Sequence, residues 1–122
     1  MAEVAHTLKR RQDFLRLARG RRKAAAPGIV VQLATTPDND ICNDAVRFGF
    51  TASRKVGNAV ARNRAKRRMR TLASSALPQL PGGHDLVLIA RAATVDRPYD
   101  LLQRDFANCL KRLGLKLSQA IR

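Results

Sequence analysis

The sequence of 122 residues predicts a single mixed α+β domain, and three patterns support this fold class. Apolar residues recur at three- and four-residue steps near both ends of the chain, as in amphipathic helices. Two further segments lie between them. One alternates strictly between apolar and polar residues and the other is continuously apolar, and both patterns are typical of β-strands. A content of 45% hydrophobic residues argues against a wholly disordered chain. We therefore expect residues 1–122 to fold as one unit.

The first half of the chain predicts one helix followed by two strands. A helical rhythm of apolar residues runs from about Arg11 to Ala18 and ends near Gly20. A β-branched run, Ile29 to Thr35, follows Pro27-Gly28, and a clean alternation extends from Ala45 to Ser53. Because the segment between the two strands is rich in turn residues, we predict that they are antiparallel.

The second half predicts a basic helix, a strand and a last helix. Pro and Gly residues interrupt the chain between Leu77 and Gly83, after the basic segment. Leu86 to Ala90 is continuously apolar, as expected for a central strand that is buried on both faces. Apolar residues then recur at helical spacing from about Tyr99 to Leu117, which predicts an amphipathic helix.

The chain is strongly basic, with 24 Lys and Arg against 9 Asp and Glu, a net charge of +15 and a pI near 11.6. Most of these cations fall into two blocks, namely Lys9, Arg10, Arg11, Arg16, Arg19, Arg21, Arg22 and Lys23, and then Arg54, Lys55, Arg62, Arg64, Lys66, Arg67, Arg68 and Arg70. Asp13 is the only acid inside either block, while Asp38, Asp40 and Asp44 lie between them. A small folded protein with this charge usually binds a polyanion.

The segment GNAVARNRAKRRMR, residues 57–70, contains five Arg and one Lys and no acid. On a helix, one stripe would hold Ala61, Ala65, Met69, Leu72 and Ala76, and cations would cover the rest of the surface; Ser53 or Asn58 is the predicted start. A solvated helix usually intersperses acids, because like-charge pairs such as Arg64 and Arg68 cost about 0.2–0.5 kcal/mol. The absence of acids therefore favours a phosphate-bearing partner over an ordinary solvated face.

The composition favours nucleic acid over a membrane, and it offers no catalytic or metal-binding set. Arg outnumbers Lys, and its planar guanidinium binds phosphate through two parallel hydrogen bonds. No apolar run approaches the roughly 18 residues of a membrane span, and the N-terminus does not resemble a signal peptide, so we expect a cytoplasmic protein. Cys42, Cys109, His6 and His84 fit no metal-ligand or catalytic spacing, and we interpret them as plain thiols and surface or loop residues.

One long segment resembles a known family. FGFTASRKVGNAVARNRAKRRMR, from Phe48 to Arg70, is similar to the signature of the protein subunit of bacterial ribonuclease P, in which a strand leads into a helix with an Arg-Asn-Arg motif, here residues 62–64. LKRRQDFLRLARG resembles the first helix of that family and DLVLIARAA its late strand. The resemblance covers about residues 8–115.

The resemblance implies a two-layer α-β sandwich with the element order αβββαβα. It also implies a left-handed crossover through the basic helix, contrary to the usual right-handed rule. The family has one strand more before the basic helix than the residues alone predict. Either this strand lies in the approach from Arg22 to Pro27, or a break divides one of the two predicted strands.

The resemblance further implies a function in tRNA maturation. In that family a catalytic RNA uses bound metal ions to hydrolyse the phosphodiester that joins the 5′ leader to the mature end of precursor tRNA. The protein positions the substrate and supports metal binding. The expected partners are thus the ribonuclease P RNA and the precursor-tRNA leader, with neither DNA nor a membrane. We expect no catalytic residue and no cofactor on the protein side chains, and Mg²⁺ held through the RNA.

Two binding surfaces follow from the resemblance by position. The surface for the catalytic RNA would comprise Arg54, Lys55, Gly57, Asn58, Arg62, Asn63, Arg64, Lys66, Arg67 and Arg70, where Gly57 permits a tight turn. The cleft for the leader would comprise Arg11, Phe14, Gln32, Arg47, Thr51 and Ser53. Phe14 would either stack on a base, which is worth about 1–3 kcal/mol, or pack in the core. Because Ala18 and Gln32 occupy positions where the family often has aromatics, we expect leader binding to depend more on Arg and hydrogen bonds.

Two other classes of function fit the charge and size. A structural RNA-binding protein of the ribosome would share the high pI, but it has no reason to reproduce the long Arg-Asn-Arg signature with its preceding strand. A helix-turn-helix DNA-binding protein would lack the predicted strands, and base readout usually requires Asn, Gln or Ser on the exposed helix face.

Overall fold

The computed structural model describes residues 5–37 and 45–115, and within them five strands form one mixed sheet with helices on both of its faces. The strands are β1 (Ala5–Thr7), β2 (Lys23–Ala26), β3 (Ile29–Thr35), β4 (Val46–Thr51) and β5 (His84–Ala90). The helices are α1 (Arg11–Arg19), α2 (Ala59–Ala76) and α3 (Tyr99–Arg112). The strand order across the sheet is β1-β4-β5-β3-β2.

This architecture confirms the predicted α+β fold class and the order αβββαβα, with one addition. The short strand β1 precedes α1 and pairs in parallel with β4, and no sequence pattern predicted it. The strand that the residues alone did not predict is β2, in the approach from Arg22 to Pro27. Its sequence, KAAA, has low β-propensity, and pairing with β3 rather than local preference makes it a strand.

The two strands predicted to be antiparallel, β3 and β4, do run in opposite directions. They are not neighbours, because β5 inserts between them, antiparallel to β3 and parallel to β4. Helix α2 therefore forms the crossover between two adjacent parallel strands, β4 and β5. The left hand of this crossover stays a prediction. Strand β5 is central and has buried residues on both faces, as its continuous apolar run predicted.

The sheet separates two packed layers. On one face α2 and α3 cover the main core, which includes the fully buried side chains of Met69, Leu86 and Phe106. On the other face α1 covers a smaller cluster of Leu8, Leu17 and Val87. This division places α1 and the basic helix α2 on opposite sides of one sheet.

Helix α2 begins and packs largely as predicted. The Asn58 side chain caps it by accepting a hydrogen bond from the Ala61 backbone N–H at 2.9 Å, which decides between the two predicted caps. Of the predicted stripe, four residues are buried, while Ala61 is only half-buried. Within residues 5–37 and 45–115, no helix is long and apolar enough to cross a membrane.

Helix α3 ends earlier than the apolar pattern predicted, at Arg112. Gly114 adopts a φ of 89°, and the Leu115 backbone N–H bonds to the Leu110 carbonyl at 2.8 Å, which closes the helix in a Schellman-type turn. Because Leu113 and Leu115 are buried beyond the helix, the apolar pattern continues past its end. Leu117 lies outside the described residues.

Candidate nucleic-acid interfaces

A tight turn joins β4 to the basic helix. A short 3-10 turn, Arg54–Val56, follows the strand, and buried Val56 anchors it to the main core. Gly57 then adopts a φ of 146°, and a Cβ added there would lie 2.9 Å from the Cβ of Ala61. Both the backbone conformation and the lack of space require glycine at this position. The turn thus places exposed Arg54 and Lys55 beside the first turn of α2.

The predicted cations of α2 are not equally exposed. Arg64, Arg67 and Arg70 are exposed, as is the uncharged Asn63 between Arg62 and Arg64, whereas Arg62 and Lys66 are half-buried. The Arg62 Nε is shielded from solvent and donates to no acceptor among the described residues. Of the two arginines of the Arg-Asn-Arg motif, Arg64 is therefore the more exposed and Arg62 the more buried.

Arg64 and Arg68 bind the turn that follows β5. The Arg64 Nε donates to the Val95 carbonyl at 2.8 Å. The Arg68 guanidinium donates to the carbonyls of Thr94 at 2.7 Å, Val95 at 3.0 Å and Arg97. Desolvation by burial, followed by the neighbouring Arg64 charge, lowers the pKa of Arg68. Arg68 therefore holds the residue 92–97 turn against α2, a structural role that the helical pattern did not reveal.

The residues predicted to bind the leader lie on α1 and on the face of the sheet that α1 covers. The Phe14 ring lies against Gly49, where an added Cβ would come within 2.7 Å of a ring carbon. Phe14 packs on the small cluster of Leu17 and Val87 and contributes to the core, yet the residue as a whole is only half-buried.

The other predicted cleft residues lie along the same face of the sheet. Strand pairing aligns Gly49, Val87 and Gln32 in one row, and Gln32 is buried. Thr51 is half-buried, whereas Ser53 and Arg11 are exposed. The structure therefore brings Phe14 against the sheet and leaves polar groups beside it.

Arg47 belongs to a buried ion-pair network on the same face of the sheet. Its Nε and Nη2 donate to the two oxygens of Asp85 at 2.7 and 2.6 Å. The Thr36 hydroxyl donates to Asp85 at 2.8 Å, and Arg16 donates to Asp85 and, at 3.2 Å, to Asp13. The Asp85 side chain is fully buried and that of Arg47 is 11% exposed. These contacts assign Arg47 a structural role, and its contact with a leader stays a prediction.

The charge state of Asp85 follows from its partners. Burial alone would raise the pKa of the Asp85 carboxyl, but hydrogen bonds from Arg47, Thr36 and Arg16 outweigh it and hold the pKa below its ordinary value. Asp85 is thus a carboxylate at neutral pH. The sequence offered a signal for this site, since Asp85 is the one acid at the start of an otherwise apolar strand, but it did not identify the partners.

The described residues include no group of three or more His, Cys, Asp or Glu that would hold a metal ion. Cys109 is buried, and burial raises the pKa of its thiol. The His84 Nδ1 lies 3.0 Å from the Gly82 carbonyl. Cys42, the side chain of His6 and the acidic residues 38–44 lie outside the part of the chain that the structure describes.

Comparison with known proteins decides the family. The family model described as Ribonuclease P matches residues 3–114. The chain belongs to the ribonuclease P protein family. It is 48% identical over 115 residues to the ribonuclease P protein component of Paramagnetospirillum magneticum, covering 93% of this chain and 86% of that protein. The corresponding protein of Gluconacetobacter diazotrophicus is 41% identical, with 95% and 97% covered.

Solved structures of the family share the fold. The ribonuclease P protein of Staphylococcus aureus superposes with a TM-score of 0.75 at 26% identity, covering 90% of this chain and 96% of that one. The protein from Thermotoga maritima gives a TM-score of 0.72 at 27% identity, with 88% and 96% covered. This membership makes the chain a subunit of the tRNA-processing ribonuclease P holoenzyme, with the ribonuclease P RNA as partner. It also argues against the two alternatives, a ribosomal RNA-binding protein and a helix-turn-helix DNA-binding protein.

Proposed function

We propose that this chain binds the ribonuclease P RNA through the surface from Arg54 to Arg70 and the 5′ leader of precursor tRNA through the cleft beneath α1. Bound in this way, the protein assists the RNA-catalysed, metal-dependent removal of the leader in the cytoplasm. The observation on which this depends is a row of exposed cations whose side chains form no ion pair or hydrogen bond within residues 5–37 and 45–115.

The cationic surface supports RNA binding because its charge is not compensated within the described residues. The side chains of Arg54, Lys55, Arg67 and Arg70 form no ion pair or hydrogen bond there. Helix α2 contains no acid at all. Phosphates of an RNA would relieve the mutual repulsion of these cations and release counterions.

The position of the cleft supports simultaneous binding of a second nucleic acid. The sheet lies between α1 and α2, so a leader in the α1 cleft would not compete with RNA on α2. Gly49 leaves room for the Phe14 ring, and the hydroxyls of Thr51 and Ser53 offer hydrogen bonds to a backbone that passes over the sheet.

The metal ions of the reaction would belong to the RNA. The described residues provide no carboxylate cluster of the kind that Mg²⁺ prefers, and the two buried carboxylates of the α1 face are already engaged by arginines. The side chains of this protein would then bind and orient RNA, and metal ions held by the RNA would supply the chemistry of hydrolysis.

A cleavage assay at low magnesium tests the proposal. Precursor tRNA is incubated with a bacterial ribonuclease P RNA, with and without this protein, and with the protein alone. Stimulated 5′ maturation that requires the RNA is the expected result. Binding without stimulation would remove the assisting role, and cleavage by the protein alone would contradict the assignment of the chemistry to the RNA.

A further inference from the structure

A small pocket lies between α2 and the edge of the sheet, on the face opposite to the leader cleft. Its volume is about 210 Å³. The rings of Phe48 and Phe50 line it from β4, Arg70 and Ser74 from α2, and Thr7 from the edge strand β1. The pocket continues the cationic surface of α2 toward the C-terminal half of the helix.

We propose that this pocket receives one unpaired base of the ribonuclease P RNA, stacked on Arg70 and Phe50. The inference rests on the proposed binding of that RNA to α2 and extends it beyond phosphate contacts. It adds Thr7, Phe50 and Ser74 to the RNA-binding surface.

The pocket offers planar groups for stacking. The Phe48 and Phe50 rings lie nearly parallel, 12° apart in orientation, with centroids separated by 6.2 Å. The Arg70 guanidinium carbon lies 5.8 Å from the centroid of Phe50. A guanidinium is a flat cation, on which a nucleobase stacks favourably.

The size and polarity of the pocket fit a single base. Sites for drug-sized ligands usually measure about 300–1,000 Å³, so a pocket of about 210 Å³ suits a smaller group. The hydroxyls of Thr7 and Ser74 form no hydrogen bond within the described residues, and both residues are exposed. Since a hydroxyl both donates and accepts, these groups would tolerate any of the four bases.

The charge around the pocket favours a nucleotide. Arg70 has no ion pair within residues 5–37 and 45–115, and Lys66 lies one helical turn before it on the same side of α2. No acid occurs anywhere on this helix. The phosphates flanking an inserted base would therefore meet two cations, while the base itself would enter the aromatic pocket.

The test compares two substitutions that keep the charge. Arg70→Lys retains the cation but removes the planar group, and Phe50→Leu removes the ring while keeping an apolar side chain. We expect each to weaken binding to a ribonuclease P RNA transcript by about fivefold or more, because a stacked base is lost. The slope of log affinity against log salt should not change, because the number of phosphate contacts is the same. Arg104→Lys, an exposed position on α3, is the matched control and should bind like the wild type.

The outcomes distinguish a failure of the base pocket from a failure of the proposed RNA binding. Loss of affinity in both variants, with thermal unfolding close to that of the wild type, supports the inference. Loss in Arg70→Lys alone would show that Arg70 only contacts phosphate and would overturn the pocket, as would unchanged affinity in both variants. If Phe50→Leu fails to fold, Ser74→Trp, which fills the pocket from its exposed rim, replaces it and should weaken binding equally. A wild-type protein that does not bind the transcript at all would instead refute the proposed function.

Discussion

Removal of the buried carboxylate of Asp85 should destabilise the protein severely, and Asp85→Asn is the sharpest test of the ion-pair network. Asp85 accepts four hydrogen bonds, two from Arg47 and one each from Arg16 and Thr36, and its side chain is fully buried. Loss of one partner of a buried pair costs about 3–5 kcal/mol. Because Arg47 and Arg16 also lie 3.7 and 3.2 Å from Asp13, we expect the lower value, about 3 kcal/mol.

This cost is measurable by thermal and urea unfolding. For a domain of this size about 3 kcal/mol corresponds to a fall in Tm of roughly 10 °C. The matched control is Asp96→Asn, since Asp96 is 87% exposed and lies 3.7 Å from the exposed Arg64, where a pair contributes at most about 1 kcal/mol. A Tm for Asp85→Asn within two degrees of the wild type, or an equal loss in Asp96→Asn, would refute the assignment.

The pH dependence gives a second measure of the same network. The pKa of Asp85 is lower in the folded protein than its ordinary value, so its contribution is fully present above the unfolded pKa of about 3.9 and is lost as the pH falls through the folded pKa. The difference in unfolding free energy between wild type and Asp85→Asn should therefore be constant from pH 7 to about 5 and should shrink below about pH 4. A difference that shrinks near neutral pH would assign the effect to another group.

Three further predictions concern the basic helix. RNA affinity should fall steeply with salt, with a log-log slope of roughly −5 to −7 for six to eight phosphate contacts, and a slope near −1 in a titration would contradict the electrostatic account. Replacing both Arg62 and Arg64 with Ala should weaken RNA binding without loss of cooperative unfolding. An unaffected affinity would remove both arginines from the interface. Arg68→Ala should lower the free energy of unfolding by about 2–3 kcal/mol, because charged hydrogen bonds to the residue 92–97 turn are lost. The control Arg67→Ala should leave the free energy of unfolding unchanged. Equal Tm values for the two variants would contradict the structural role of Arg68.

The sequence predicted those elements whose local pattern agrees with their burial. Helix α2 and strand β5 are examples. The stripe of Ala and Met on α2 and the continuous apolar run of β5 are both stable only when they are buried in the core. Strand β2 was not predicted from the residues alone, because three alanines and a lysine have no strand preference of their own. It forms a strand only through its pairing with β3 in the folded sheet. The insertion of β5 between β3 and β4 could not be predicted either, because the neighbours of a strand in the sheet can be distant from it in the sequence.

The candidate site shows the same division. Spacing and resemblance identified the exposed cations of α2, but they did not distinguish an arginine that faces solvent from one that binds backbone carbonyls. Arg68 and Arg47 both looked like surface cations, and their roles depend on Thr94 and Asp85, which lie 26 and 38 residues further along the chain. Such contacts follow from the folded arrangement and not from any local pattern.

The placement of α1 and α2 on opposite faces makes the sheet a spacer of fixed thickness. If both surfaces bind RNA as proposed, the thickness of the β-sheet sets the separation between the leader and the catalytic RNA. A substitution that lifts α1 from the sheet, such as one that breaks the Asp85 network, would then alter where along the precursor the cut falls as well as how tightly the leader binds. Fidelity of the cleavage position would thus depend on the buried carboxylate of Asp85, which is fully shielded from solvent.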